Sequence, residues 1–320
     1  MKHLLAIEQL SREEIEAILD RAESFAEVGR RDIKKVPTLR GRTVVTLFYE
    51  SSTRTSSSFE LAAKRLSADL ISVKAAGSSV DKGESLKDTV ATLSAYDPAA
   101  IVIRHPYAGA AQMVAEWTTA AVVNAGDGKH EHPSQALLDV YTLRRRLGSL
   151  DGKRIWIVGD VLHSRVARSN LIAFQRMGAE VTVCGPPTLI PRGIEELGCE
   201  VSHSLERLGE AEVVYALRMQ QERMSESFVP SLREYAATFQ IDTRRLNPRQ
   251  LLMHPGPVNR GVELSGEAID SPQSLIAEQV AAGLVVRMAI LYELLAGSER
   301  PVPLGEGDGA GSPTPIGQPA

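Results

Sequence analysis

An α/β architecture in two domains, each a mostly parallel β-sheet flanked by helices, is expected from three features of this chain. Short apolar runs alternate with amphipathic stretches over most of the length. The alternation falls into two series of similar size, joined through a helix that starts at Pro133. The chain has 320 residues, 43% of them hydrophobic and 24% charged, which suffices for two soluble domains of ordinary size. Strands separated by helices need crossover connections, and these favour parallel pairing with both sheet faces covered.

The elements follow in order. Ser11-Arg12-Glu13-Glu14 has the form of a capping box, with Ile15, Ile18, Leu19, Ala22 and Phe25 at helical spacing behind it. Strands are expected at 43–49, 70–74, 100–104 and 121–124, then at 154–159, 180–184, 213–217 and 251–254. An amphipathic stretch follows the first strand, with Phe59, Leu61, Ala62 and Leu66 on one side. Further helical patterns cover 84–95, 133–147, 165–177 and 230–239. The last helix, 272–296, is apolar on most of its surface, including Ile276, Val280, Leu284, Met288 and Leu291. Such a helix needs neighbours on several sides, so it is expected to pack back on the first domain. The domains are then 1–132 plus 284–300, and 133–283. The Gly-, Pro- and Ser-rich tail 301–320 cannot bury a core and is expected to be disordered.

Composition narrows the function classes. A net charge of −4 gives no support for a nucleic-acid or membrane partner, so an anionic ligand must be met by a local cluster of Arg and Lys. The stretch 280–296 is interrupted by Arg287 and Glu293 and reads as a buried helix, not a membrane span. The start, Met1-Lys2-His3, lacks a signal-peptide core. Cys184 and Cys199 are the only cysteines and have no C-x-x-C spacing, so neither a disulfide framework nor a structural zinc site is expected, and a reducing cytoplasm fits.

The segment Thr46-Leu47-Phe48-Tyr49-Glu50-Ser51-Ser52-Thr53-Arg54-Thr55 carries the strongest functional signal. It reads as a strand, a tight turn and a helix N-terminus. Free backbone N–H groups and the positive helix end meet there with three hydroxyls and a guanidinium, a combination suited to phosphate. The G-x-x-x-x-G-K-S/T nucleotide loop is absent. An ordinary Ser N-cap followed by a polar first turn is the plainer explanation. Further polar clusters also follow expected strands: Arg104-His105-Pro106, His132-Pro133-Ser134-Gln135, Asp160 leading to Arg165, Arg218-Met219-Gln220, and His254-Pro255-Gly256-Pro257. Ligands of open parallel sheets bind at the carboxyl ends of strands, so these clusters point to a cleft between the domains.

Taken together, these segments resemble the aspartate/ornithine carbamoyltransferases, as do Lys82-Gly83-Glu84 and Asn124-Ala125-Gly126-Asp127-Gly128. The resemblance spans residues 1 to about 297. It is closer to the aspartate-specific members. His254-Pro255-Gly256-Pro257 stands where ornithine enzymes carry a Cys, and Arg218 to Arg223 resembles an aspartate-binding stretch. The implied reaction is carbamoyl transfer from carbamoyl phosphate to L-aspartate, an early step toward pyrimidines, with no cofactor and no metal. Transfer to ornithine or another amino acid is the alternative. A nucleotide-binding reading of Arg154 to Asp160 rests on a strand and a single Gly, without G-x-G-x-x-G.

The resemblance implies roles for individual residues. Ser52, Thr53, Arg54, Thr55 and Arg104 would hold the phosphate. Thr55, Arg104 and His132 would stabilise the developing oxyanion and so carry catalysis. Gln135, with the carbonyls of Pro255 and Gly256, would accept from the carbamoyl NH₂. Arg165, Arg218 and Gln220 would bind aspartate, while Glu50 and Arg223 support the closed domains. Ser78 and Lys82 would enter a neighbouring subunit's site, which implies a homotrimer and leaves room for a regulatory or dihydroorotase-like partner chain. One departure is Ser56, where many members have a second Arg, so a salt bridge between elements is expected to be missing.

Overall fold

The computed structural model describes residues 1–74, 83–220 and 228–296. Ser78, Lys82, Arg223 and the tail 301–320 lie outside them. Two all-parallel sheets form the frame. The first contains β1 (Thr43–Phe48), β2 (Asp69–Lys74), β3 (Ala100–His105) and β4 (Ala121–Asp127), in the order β2-β1-β3-β4. The second contains β5 (Arg154–Val158), β6 (Glu180–Cys184), β7 (Glu200–Ser202), β8 (Val213–Ala216) and β9 (Leu251–Met253), in the order β7-β6-β5-β8-β9. In each sheet the strand order reverses once, between β1 and β3 and between β5 and β8. Those two reversals leave crevices at the carboxyl ends, where Phe48 is in register with Arg104 and Val158 with Ala216.

The helices are α1 (Arg12–Val28), α2 (Thr53–Arg65), α3 (Leu86–Ser94), α4 (Ala110–Trp117), α5 (Pro133–Leu147), α6 (Arg165–Arg176), α7 (Leu232–Phe239), α8 (Gly266–Ile269) and α9 (Ile276–Leu295). Local chemistry sets several starts. Ser11 and Glu14 form a reciprocal capping box on α1, and Ser164 accepts from the Ala167 N–H at the head of α6. Pro133 occupies the first turn of α5, while Arg144, Arg145 and Arg146 lie in its last turn, where cations suit the negative end of the dipole.

The final helix packs against α1, α2 and α5, as its apolar surface predicts. Val286, Ile290 and Leu291 of α9 belong to a core cluster that runs through Leu137 and Tyr141 of α5 and reaches both Val102 of β3 and Ile157 of β5. One apolar body therefore backs both sheets, and the cleft between them rests on it. No helix among the described residues is long and apolar enough to cross a membrane.

Five local readings need correction. Strand β7 and helices α4 and α8 form without having been anticipated. The first is a three-residue strand at a sheet edge. The second starts from Gly109 in the left-handed region, without a side-chain cap. Leu61 and Val280, both expected to face the core, are 42% and 56% exposed. Leu61 lies two residues past Phe59, about 200° around the helix, so the two cannot share a face.

Candidate active site

The corner after β1 forms as a strand, a turn and the start of α2. Ser52 is the N-cap residue, yet its side chain makes no capping bond, so its hydroxyl is not consumed by the helix. Thr53 and Arg54 are exposed, and Thr55 is buried. Ser56 Oγ donates to the Ser52 carbonyl at 2.7 Å, a bond local to the start of the helix. Arg104 is the penultimate residue of β3, and His132 and Gln135 open α5. From the second sheet, Arg165 begins α6, Arg218 and Gln220 follow β8, and Pro255 and Gly256 follow β9.

All of these residues except Ser56, together with Glu50, line one cleft of about 1840 Å³ at the two strand-order reversals. Its walls are strongly cationic, and Glu50 meets that charge directly. Its carboxylate pairs with the Arg165 guanidinium and lies 3.3 Å from Arg104 Nε. Arg104 Nη1 also donates to the Ala125 carbonyl at 3.3 Å. Arg165 is 3% exposed, and its Nη1 has no hydrogen-bond partner among the described residues. A buried guanidinium N–H without a partner is costly unless a ligand supplies one.

Two glycines let arginines approach the backbone. A Cβ on Gly126, at φ +115°, would stand 3.1 Å from Arg165 Cζ. One on Gly256, at φ +66°, would stand 2.6 Å from Arg54 Nη2, so Arg54 lies across the backbone that follows β9. That loop is also held from within. The Gly256 N–H donates to His254 Nδ1 at 2.8 Å, and the His254 N–H donates to Gln279 Oε1 at 3.0 Å.

His132 is 3% exposed. Burial, reinforced by the charges of Arg104, Arg287 and Arg165, holds it well below the ordinary histidine value, so the ring is neutral. Ser134 Oγ lies 3.4 Å from its Nδ1. With that nitrogen as the acceptor, the ring proton sits on Nε2 and is available to donate.

Several supporting residues were given no role of their own by the motif-based reading. Ser169 Oγ takes the His132 N–H at 2.8 Å and donates to Glu131 Oε2 at 3.0 Å, and that same carboxylate oxygen takes the Ile7 N–H at 2.7 Å. Asp160 accepts the Gln220 N–H at 3.2 Å. Arg287 lies 5.1 Å from the Phe59 ring centroid, and burial lowers it to about 10. Asp139 stands behind Gln135 and takes its amide at 3.1 Å. A polar residue inside an apolar helical run was the available signal for Asp139, between Leu138 and Val140, and for Arg287, between Val286 and Met288, whereas Glu131, Asp160 and Ser169 carry no such signal.

Comparison with known proteins follows the same lines. Residues 2–145 match the family model described as aspartate/ornithine carbamoyltransferase, carbamoyl-P binding domain, and residues 151–294 match its Asp/Orn binding domain. The chain is 55% identical over 303 residues to the aspartate carbamoyltransferase catalytic subunit of Acidothermus cellulolyticus, covering 93% of this chain and 94% of that one. Its structure is similar to the catalytic subunit of M. jannaschii aspartate transcarbamoylase, with TM-score 0.82, 36% identity, and 93% and 99% of the two chains covered. It also resembles the aspartate transcarbamoylase of Trypanosoma cruzi in complex with carbamoyl phosphate and aspartate, with TM-score 0.84, 32% identity, and 92% and 97% covered. With both halves matched in order and relatives of this identity along nearly its full length, the chain belongs to the aspartate/ornithine carbamoyltransferase family.

Proposed function

We propose that this protein transfers the carbamoyl group of carbamoyl phosphate to the amino group of L-aspartate, giving N-carbamoyl-L-aspartate and phosphate in pyrimidine synthesis. The observation that carries this reading is the convergence in one cleft of the hydroxyl–arginine corner from the first sheet with Arg165 and Arg218 from the second. The amine forms the new C–N bond, the C–O bond to phosphate breaks, and the amine proton leaves with the phosphate. Ser52, Thr53, Arg54 and Thr55 hold the phosphate, with charge-assisted bonds worth about 1.5–3 kcal/mol each. Thr55, Arg104 and the neutral His132 donate to the carbonyl oxygen as it gains charge. Gln135 and the carbonyls of Pro255 and Gly256 accept from the carbamoyl NH₂.

Aspartate brings two carboxylates, for which Arg165 and Arg218 offer planar bidentate partners, with Gln220 beside them. The unpartnered Arg165 Nη1 supports that role. Glu50 and Arg223 tie the carbamoyl-phosphate domain, 1–132 with 284–300, to the aspartate domain, 133–283. The working form is a cytoplasmic homotrimer in which Ser78 and Lys82 reach a neighbouring site. The His254-Pro255-Gly256-Pro257 segment supplies neither an acid nor a thiol for an amino side chain, which favours aspartate over ornithine.

Purified protein incubated with carbamoyl phosphate and either L-aspartate or L-ornithine tests the reaction. Carbamoyl product is expected with aspartate, and none with aspartate would overturn the reading. Mixing Lys82→Ala with Arg54→Ala chains tests the shared site. Activity is expected to return in the hybrids, and its failure to return removes the neighbouring-subunit role.

A further inference from the structure

We propose that Asp139 is the positioning residue that sets which acyl phosphate this cleft accepts, by holding the Gln135 amide with its NH₂ turned away and its oxygen turned toward the acyl group. The inference rests on the proposed role of Gln135 and names what enforces it. An acceptor at that point favours an acyl group carrying NH₂ over one carrying CH₃.

The argument begins with what a carboxylate can do. It only accepts, so an amide facing it must present its NH₂. Gln135 Nε2 donates to Asp139 Oδ1 at 3.1 Å, and only Gln135 of the two lines the cleft. The carboxylate is itself immobilised. Gln279 Nε2 of α9 donates to Oδ1 at 2.7 Å, Asn170 Nδ2 of α6 to Oδ2 at 2.9 Å, and the Tyr215 hydroxyl of β8 to Oδ2 at 2.7 Å. Asp139 has no solvent exposure, so water cannot replace these donors.

The same logic reaches the second acceptor. Because the NH₂ of Gln279 is directed to Asp139, its oxygen is left to take the His254 N–H, which steadies the loop bearing Pro255 and Gly256. Both groups proposed to receive the carbamoyl NH₂ therefore hang from one buried carboxylate. A fully satisfied structural aspartate would look similar in isolation. Its donors, however, would have no reason to include the two amides that line the cleft, those of Gln135 and Gln279.

Burial pushes the Asp139 carboxyl up to about 6, against the pull of its donors. The other charged or titratable groups that face it are Tyr215 on β8, raised well above its ordinary value, and Arg287 on α9, at about 10. Neither titrates between pH 5 and 8, so among the groups that face one another here only Asp139 changes its charge in that range.

The test compares kcat/KM for carbamoyl phosphate and acetyl phosphate at saturating aspartate. In Asp139→Asn the new amide can donate to the Gln135 oxygen and let it turn, and the carbamoyl-to-acetyl ratio is expected to fall about tenfold or more. Asn170→Ala removes a donor from the other oxygen. It is expected to lower Tm yet keep the wild-type ratio. An unchanged ratio in Asp139→Asn, or an equal fall in Asn170→Ala, overturns the inference. Should Asp139→Asn not fold, the wild-type ratio is followed from pH 8 to 5. It is expected to fall as the carboxyl gains its proton near 6, and a constant ratio counts against Asp139, since phosphate titration affects both substrates alike. Wild-type protein that makes no carbamoyl-aspartate overturns the reaction itself. Normal transfer with unchanged ratios overturns only the role of Asp139.

Discussion

The Glu50 carboxylate pairs with the Arg165 guanidinium across the cleft, joining the turn after β1 to the first residue of α6. Arg104 Nε lies 3.3 Å from the same carboxylate oxygen, so one acid holds guanidiniums from both halves of the site. The Glu50 side chain is 23% and that of Arg165 4% exposed, so water screens the pair poorly.

Glu50→Gln keeps the shape of the side chain and removes the charge. Breaking a largely desolvated pair costs about 2 kcal/mol or more, and kcat/KM for aspartate is expected to fall about 30-fold or more. Steady-state kinetics checks this. A value close to that of wild type would show that Arg165 and Arg104 keep their places without Glu50.

Gly256→Ala acts on the phosphate end. The added methyl would sit 2.6 Å from Arg54 Nη2, and the left-handed backbone at φ +66° adds strain of its own. Arg54 must move, so the KM for carbamoyl phosphate is expected to rise about tenfold or more, the loss of one charge-assisted bond. Isothermal titration with phosphate measures the same loss directly, and unchanged affinity would show that Arg54 adapts.

The framework was largely legible because it rests on local pattern. Apolar runs of four to six residues, such as those of β1, β3 and β6, announce buried parallel strands, and the capping box at Ser11 announces α1. Helix α4 was not legible, since the Gly109 N–H is secured by Asp127 Oδ2 from the end of β4, a bond between distant residues. The same division runs through the site. The side chains proposed to bind substrate belong to recognisable motifs, and those described do meet in the cleft, where Gln279 and Arg287 join them from α9 without a motif. The groups behind them, such as Asp139, Asn170 and Tyr215, are gathered from α5, α6 and β8 by the fold alone.

His132 supplies a pH prediction. Because burial and three arginines hold it well below the usual histidine range, it loses its proton before neutrality and remains a neutral donor above. At saturating substrates kcat is expected to show no step near the ordinary histidine value of about 6.5. Heteronuclear NMR of labelled imidazole nitrogens should find His132 uncharged at pH 6.5. A ring titrating at or above that value would mean that an imidazolium acts on the carbonyl oxygen instead.

Ser169→Ala tests how His132 is held. Ser169 has no solvent exposure, and its hydroxyl links the His132 N–H to the buried Glu131 carboxylate. Removing it leaves both buried groups short of a partner, at about 1–3 kcal/mol each, and Tm is expected to fall accordingly. Since the His132 backbone then loses its anchor, kcat should fall about tenfold, while the KM for carbamoyl phosphate, governed mainly by the corner at Ser52 to Thr55, changes less. Ser169→Thr keeps the hydroxyl and should restore part of kcat. A variant with lowered Tm but unaltered kcat would confine Ser169 to stability and leave the placement of His132 to Pro133 and Ser134.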